Sequence, residues 1–308
     1  MNTKFRIGTA SWQEPEFVRD WYPKGLSKTR LLPWYAEHFN FVEVNGSFYG
    51  IPKASVVAQW CEQTPDDFLF DVKLHKLLSR HATDAKFLPA DLRSEATVLN
   101  GQVVLTAEME KLVAHRFREG IQPLIDARKL GALLLQLAPS FRPRTARLTD
   151  LENIFSLFSD CDLAVELRHR DWMMGEQQGE TVSFFRKNKV TLVSVDAPAS
   201  DHVTVMPFSD EITNPRLAYM RLHGRDEAAF VKGKTVPDRF NYLYNELELR
   251  EIAVAAVNLG LEAEHVHVVF NNNRSNYAPK SAEQLQTILE IYHGIKGTRP
   301  FVQQPELV

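Results

Sequence analysis

Cysteine is scarce. Cys61 and Cys161 are the only two in 308 residues, and both lie in apolar, helix-like contexts with no ligand-like spacing between them. Reduced thiols in a cytoplasm are the expectation, and a disulfide framework or a catalytic cysteine is not. No apolar stretch approaches the roughly 18–20 residues that span a bilayer, so no membrane partner is expected. The opening MNTKFRIGTA enters a strand almost at once, without the charged, apolar and small-residue succession of a secretory leader. A large charge of one sign is missing as well. The net charge of −3 argues against a protein that coats nucleic acid, although a locally basic cleft remains compatible with it. The first turn, GTASWQEP, is neither GxGxxG nor the GxxxxGK phosphate loop, which removes both nucleotide-phosphate cradles and the hallmark of an open doubly wound sheet. There is no GxSxG elbow, no HExxH, no internal repeat and no Gly/Ser/Pro-rich linker.

What is present is an ordinary globular composition, 44% hydrophobic and 24% charged, able to bury a core without staples. Eight short apolar, β-branched runs alternate with amphipathic stretches: Arg6 to Ala10, Phe41 to Asn45, Leu69 to Lys73, Leu133 to Gln136, Leu163 to Leu167, Thr191 to Val195, Ala218 to Leu222 and Val266 to Phe270. Eight β-then-α units predict a (β/α)8 barrel, an α/β fold, as one domain over residues 1–308. Helices are expected over residues 29–39, 55–63 and 108–131, the last closed by Gly131 as a C-cap. Thr149 with Glu152, and Ser281 with Gln284, read as capping boxes. Strands three and four are about sixty residues apart, which implies an insertion from His75 to Thr106, a lid or a subunit contact. The roughly twenty-residue link between strands six and seven has no good helix.

In such barrels the carboxyl ends of the strands face the ligand, so polar residues there are informative. Alternation selects Glu43 and Asn45, Asp71 and Lys73, Gln136, Glu166 and Arg168, Asp196, Arg221 and His223, and Asn271 and Asn273. Glu43 and Glu166 suit acid–base work, with Arg168, Arg221 and Lys73 receiving an anionic group. The bland alternative is a salt-bridge network in which the two carboxylates merely neutralise those cations. Aromatics crowd the same rim: Trp12, Phe48, Tyr49, Trp172 and Tyr277 would either stack on a ligand or anchor loops. His223, His169, His265 and His267 admit a metal reading but without a compact ligand motif, and no metal ligand is assigned.

At these residues the chain resembles the YecE-like family, domain of unknown function 72. The matching segments are IGTASW (7 to 12), WYPKG (21 to 25), LPWYAEHFNFVEVNGSFYGIP (32 to 52), FLFDVKLHKLLSRH (68 to 81), VELRHRDWM (165 to 173), YMRLHGR (219 to 225) and FNNNRSNYAPKSAEQL (270 to 285). The resemblance implies a TIM-type barrel and maps the family's signature onto Trp12, Glu43, Asn45, Phe48, Tyr49, Lys73, Glu166, Arg168, Trp172, Arg221, His223, Gly224, Asn271 and Asn272. TASWQEP departs from the aromatic-rich turn expected after the first strand, and LHKLLSRH is a loose match after the third. The family brings no activity with it.

The expectation is an enzyme, a hydrolase or isomerase, using Glu43 and Glu166 on a small polyhydroxy or phosphorylated compound. Trp12, Asn45, Tyr49, Lys73, Arg168, Trp172, Arg221, His223, Asn271 and Asn272 would bind it. A metal-dependent phosphoesterase or sugar-isomerase-like enzyme is the first alternative. The second is a binding protein for a metabolite or, less favoured, a nucleic-acid end, with Arg225, Lys232, Lys234 and Arg274 as a basic rim. The sequence specifies neither cofactor nor oligomeric state.

Overall fold

A computed structural model describes residues 3–300. Eight parallel strands carry the fold: β1 (Lys4–Thr9), β2 (Phe41–Val44), β3 (Leu69–Lys73), β4 (Leu130–Gln136), β5 (Leu163–Glu166), β6 (split at Val193 into Thr191–Leu192 and Ser194–Asp196), β7 (Leu217–Leu222) and β8 (His265–Phe270). They form two parallel sheets, ordered β2-β3-β4-β5 and β1-β8-β7, and β6 belongs to both. Its first half pairs with β5 and its second half with β7. Strands buried on both faces read as near-continuous apolar runs, and every residue of β2, β5 and β7 is buried.

β1 and β2 lie side by side without a ladder between them. Tyr35, on α2 (Leu31–Ala36), fills the seam: its hydroxyl accepts from Thr9 N–H (3.0 Å) and donates to the Phe41 carbonyl (3.1 Å). The strands approach so closely here that a Cβ on Gly8 would collide with the Phe41 carbonyl oxygen. Glycine at position 8 is therefore a packing requirement.

The longer helices behind the strands are α3 (Ala54–Glu62), α5 (Ala107–Asp126), α7 (Gly175–Asn188), α10 (Glu246–Leu259) and α11 (Tyr277–His293). Among the described residues none is long and apolar enough to cross a membrane. The insertion between β3 and α5 holds α4 (Ala90–Glu95) and a small antiparallel hairpin, Val98–Leu99 with Gln102–Val103. The connection from β6 to β7 has neither helix nor strand, as expected. Cys61 and Cys161 are both free and half-buried.

Three expected helix boundaries are corrected. The helix over 108–131 ends at Asp126, the chain reverses through Arg128 (φ 57°), and Gly131 lies inside β4. Glycine is needed there because a Cβ would strike the Asp71 carboxylate, a tertiary demand that mimics a cap. Thr149 sits within a short 3-10 turn (Leu148–Leu151), and Asp150 instead caps the Arg147 N–H at 2.8 Å. Ser281 is buried one turn inside α11, whose stripe Ala278, Ala282, Leu285 and Leu289 begins before the supposed capping box. Apolar burial outweighs a local cap worth about 1 kcal/mol.

Candidate functional site

β7 alternates Leu217, Tyr219, Arg221 against Ala218, Met220, Leu222, so Tyr219 and Arg221 project to the same side. That side faces Glu43 of β2 and Glu166 of β5, and all four side chains are buried. Arg221 grips Glu43 at both oxygens, Nη2 to Oε1 at 2.7 Å and Nε to Oε2 at 3.0 Å, and its Nη1 donates to Glu166 Oε2. The Tyr219 hydroxyl donates to Glu43 Oε2 at 2.8 Å. Glu166 Oε1 accepts from Gln136 Nε2 (2.9 Å) and Arg168 Nη1 (3.2 Å) and lies 3.2 Å from His223 Nε2. Every oxygen of both carboxylates is thus occupied, as a buried ion pair requires. Burial alone would raise the Glu166 carboxyl, but Arg221, His223 and Arg168 hold it well below the ordinary carboxylate range. Burial pushes His223 down to about 4 despite Glu166.

Above this floor opens a cavity of about 590 Å³, lined by residues at or just beyond the carboxyl ends of the strands: Asn45, Lys73, Gln136, Arg168, Asn271 and Asn273. Its outer wall carries Phe48, Tyr49, Phe230 and Phe240, with Arg239, His81 and Glu14. Lys73 Nζ bonds to Gln136 Oε1 at 2.7 Å and sits 4.3 Å from the centre of the Phe48 ring. Burial, reinforced by Arg221 and partly offset by Glu43 and Glu166, brings the Lys73 amine down to about 7. Burial raises the Glu14 carboxyl, against a hydrogen bond from Ser11. Three buried atoms on the wall have no partner among the described residues: Asn45 Oδ1, Asn273 Oδ1 and His81 Nε2. Burial pushes His81 down to about 4, so at neutral pH its ring is uncharged.

Of the residues selected from sequence, Asn45, Tyr49, Lys73, Arg168 and Asn271 line the cavity. Glu43, Glu166, Arg221 and His223 lie beneath it, fully enclosed, in the very ion-pair network raised as the alternative to acid–base work. Trp12 is turned into an aromatic cluster, edge-on to Trp60 at 5.3 Å, and does not line the cavity. Trp172 is buried against Phe141, with its indole N–H donated to the Phe141 carbonyl at 2.8 Å. Asn272 points to the Tyr242 carbonyl at 2.8 Å, one step out of phase with Asn271 and Asn273. These three secure loops, and their aromatic or amide character did not reveal which way they face.

The histidines do not converge. His267 pairs with Asp71 at 2.8 Å, whereas His223 meets Glu166, and among the described residues no group of three or more His, Cys, Asp or Glu is placed to hold a metal. The metal-dependent alternative therefore gains no ligand set. The basic rim is partly spent: Arg225 bonds Asp196 (2.8 Å) and Glu251 (2.7 Å), and Arg274 approaches Glu16 and Asp238 at 3.6 Å.

Sequence reading missed Glu14, Phe230, Arg239 and Phe240: Phe230 and Arg239 lie on the short helices Glu227–Lys232 and Val236–Arg239, and Glu14 and Phe240 stand at the ends of short helices, too few turns for a periodicity to point inward. Tyr219 could have been found, because it stands two residues before Arg221 on the same face.

A family profile described as "Protein of unknown function DUF72" matches residues 6–305. The UPF0759 protein YunF of Bacillus subtilis (strain 168) is 26% identical over 294 residues, 94% of this chain and 96% of that protein. The UPF0759 protein YecE of Escherichia coli (strain K12) is 30% identical over 178 residues, 58% of this chain and 53% of its own length. Among solved structures, a DUF72 family protein (EF0366) of Enterococcus faecalis V583 superposes with a TM-score of 0.77 at 28% identity, covering 93% of this chain and 96% of that one. A DUF72 family protein (TM1631) of Thermotoga maritima MSB8 gives 0.73 at 27% identity, covering 93% and 99%.

Proposed function

The chain belongs to the DUF72 family, and on that premise we propose that it is a single-domain (β/α)8 barrel enzyme whose cavity takes a small, hydroxylated anion. Closure of the barrel is supported by β6, which joins both sheets, and by Tyr35, which bridges β1 and β2. One observation carries the ligand class. The same cavity wall presents the basic groups Lys73, Arg168 and Arg239 against a single carboxylate, Glu14, beside two buried amide oxygens, Asn45 Oδ1 and Asn273 Oδ1, that await hydrogen-bond donors. Buried acceptors without partners are uncommon and are satisfied by a ligand's hydroxyl groups or by water. Phe230, 5.7 Å from the Arg168 guanidinium, covers that cation's face, and the donors not spent on Glu166 through Nη1 are left for an anion.

In this reading Glu43 and Glu166 are positioning residues. They fix Arg221 and, through Gln136, the site of Lys73. The carboxyl that exchanges a proton with the ligand is Glu14, which stands on the wall and whose proton is held more tightly by burial. Isomerase or hydrolase chemistry on a polyhydroxy or phosphorylated compound fits these groups.

Thermal unfolding against sugar phosphates, hydroxy acids and their uncharged analogues tests this. Anionic, hydroxylated compounds should raise the melting temperature, and Arg168→Ala should abolish the rise, because a ligand that binds only the folded state stabilises it. No response to any anion, or an equal rise in Arg168→Ala, would overturn it.

A further inference from the structure

Lys73 closes a relay of side chains whose polarity is dictated from one end. Glu166 can only accept hydrogen bonds, so Gln136 must turn its NH2 toward it and its carbonyl oxygen toward Lys73. Lys73 therefore spends one N–H on Gln136, while Glu43 and Glu166 are already gripped by Arg221. Among the described residues no carboxylate lies within ion-pair distance of Lys73 Nζ. A lysine that served only to hold an anion would keep its full charge in the open. This one is buried at the end of a strand, beside a ring, with its nitrogen at the wall of the cavity.

We propose that Lys73 is a nucleophile that condenses with the carbonyl carbon of a small anionic aldehyde or ketone. The proposal rests on the anion-binding reading above and narrows its substrate class. The Nζ lone pair forms the new C–N bond as the carbonyl π pair moves to oxygen. The oxygen then leaves as water with the two amine hydrogens, and a C=N bond remains, with no oxidant or reductant consumed. Arg168 and Arg239, on the same wall, would receive the anionic end. The groups that set the amine's protonation are Arg221 on β7, Glu43 on β2, Glu166 on β5 and Arg168 beyond β5, while His81, on the loop after β3, faces the amine as an uncharged ring. Together with burial they bring it to about 7, so that a large fraction is neutral at physiological pH.

The test uses the full chain with glyoxylate, an anionic aldehyde, and glycolaldehyde, its uncharged counterpart, under cyanoborohydride, with peptide mapping by mass spectrometry. Lys73 should be alkylated first by glyoxylate, on the order of a hundredfold faster than ordinary lysines near pH 7, because those are almost wholly protonated there. The rate should rise through pH 7, glycolaldehyde should show a weaker preference for Lys73, and Lys73→Arg should lose the site. Melting curves with glyoxylate and with sugar phosphates are run in parallel. Anion-dependent stabilisation without preferential labelling of Lys73 would overturn the nucleophile and leave the cavity reading standing. Absence of both would overturn the cavity reading as well.

Discussion

Arg221 Nε and Nη2 meet the two oxygens of Glu43 at 3.0 and 2.7 Å, a two-point grip between β7 and β2 inside the fold. Because Nη1 also serves Glu166, one guanidinium compensates two buried anions. Arg221→Met should therefore destabilise the protein by about 3–5 kcal/mol, the range for a buried charge stripped of its partner. Glu43→Gln should be milder, since Arg221 retains Glu166. Urea unfolding at pH 7 measures both, and a loss below about 1 kcal/mol for Arg221→Met would count against the pairing.

His223 should be neutral and protonated on Nε2. Asn271 Oδ1 faces Arg221 Nη2 and Asn45 Nδ2, both at 3.4 Å, so its NH2 faces His223 Nδ1 at 3.0 Å. That leaves Nε2–H to donate to Glu166. Nitrogen NMR should show this single tautomer from pH 5.5 to 8, and an imidazolium signal at pH 5.5 would refute it.

The same histidine should shape acid stability. Its value falls from 6.5 to about 4 on folding, so between these limits the unfolded chain binds more protons and stability declines as the pH is lowered. Glu166 adds to the decline below 4.5, where its carboxylate is protonated in the unfolded chain before the folded one. His223→Gln should make the stability curve less steep between pH 6.5 and 4 by one histidine's share, with His75 and His81 keeping theirs, and leave the Glu166 limb, as read by denaturant midpoints across that range.

Lys73 works in the opposite pH direction. Between about 7 and 10.5 the unfolded chain holds a proton that the folded chain does not, so folding becomes more favourable as the pH rises through this window. Lys73→Met should raise the melting temperature at pH 6, by an amount equivalent to a few kcal/mol (~2–4) after loss of the Gln136 bond, and the gain should shrink toward pH 10. A variant that melts lower than the parent at pH 6 would contradict a buried amine whose charging opposes folding.

Tyr35→Phe removes one hydroxyl that serves Thr9 N–H and the Phe41 carbonyl together. A loss of about 1–3 kcal/mol is expected, because two buried backbone groups are left without a partner. Hydrogen exchange at Thr9 should accelerate in step, and unchanged protection there would place the seam's stability elsewhere.

The strands were readable because parallel β-runs are apolar on both faces and period-two alternation survives in them. All eight expected runs became strands, with Leu69 to Lys73 matched at both ends. Alternation also predicted the cavity residues Asn45, Lys73, Gln136 and Asn273. It could not rank depth. Glu43 and Lys73 are both buried polar residues on strands, yet one lies sealed under Arg221 and the other touches the cavity, a difference set by strand stagger around the fold. Helix starts failed where a cap signal competed with an apolar stripe, as at Ser281, and Arg239 and Phe240, at the end of the one-turn helix Val236–Arg239, carry no local signature of facing inward.

The pairing of β1 with β8 bears on how the chain is made. The ladder from Lys4↔His265 to Thr9↔Phe270 joins the first strand to the last, while its flank toward β2 rests on Tyr35. As the ribosome extends the polypeptide, β1 waits for β8 before the main-chain groups on that side are satisfied, a contact of very high sequence separation that slows assembly. Gly8 and Thr9 emerge early and settle late, so the edge of this strand that will meet β8 stays open while the strands between are made.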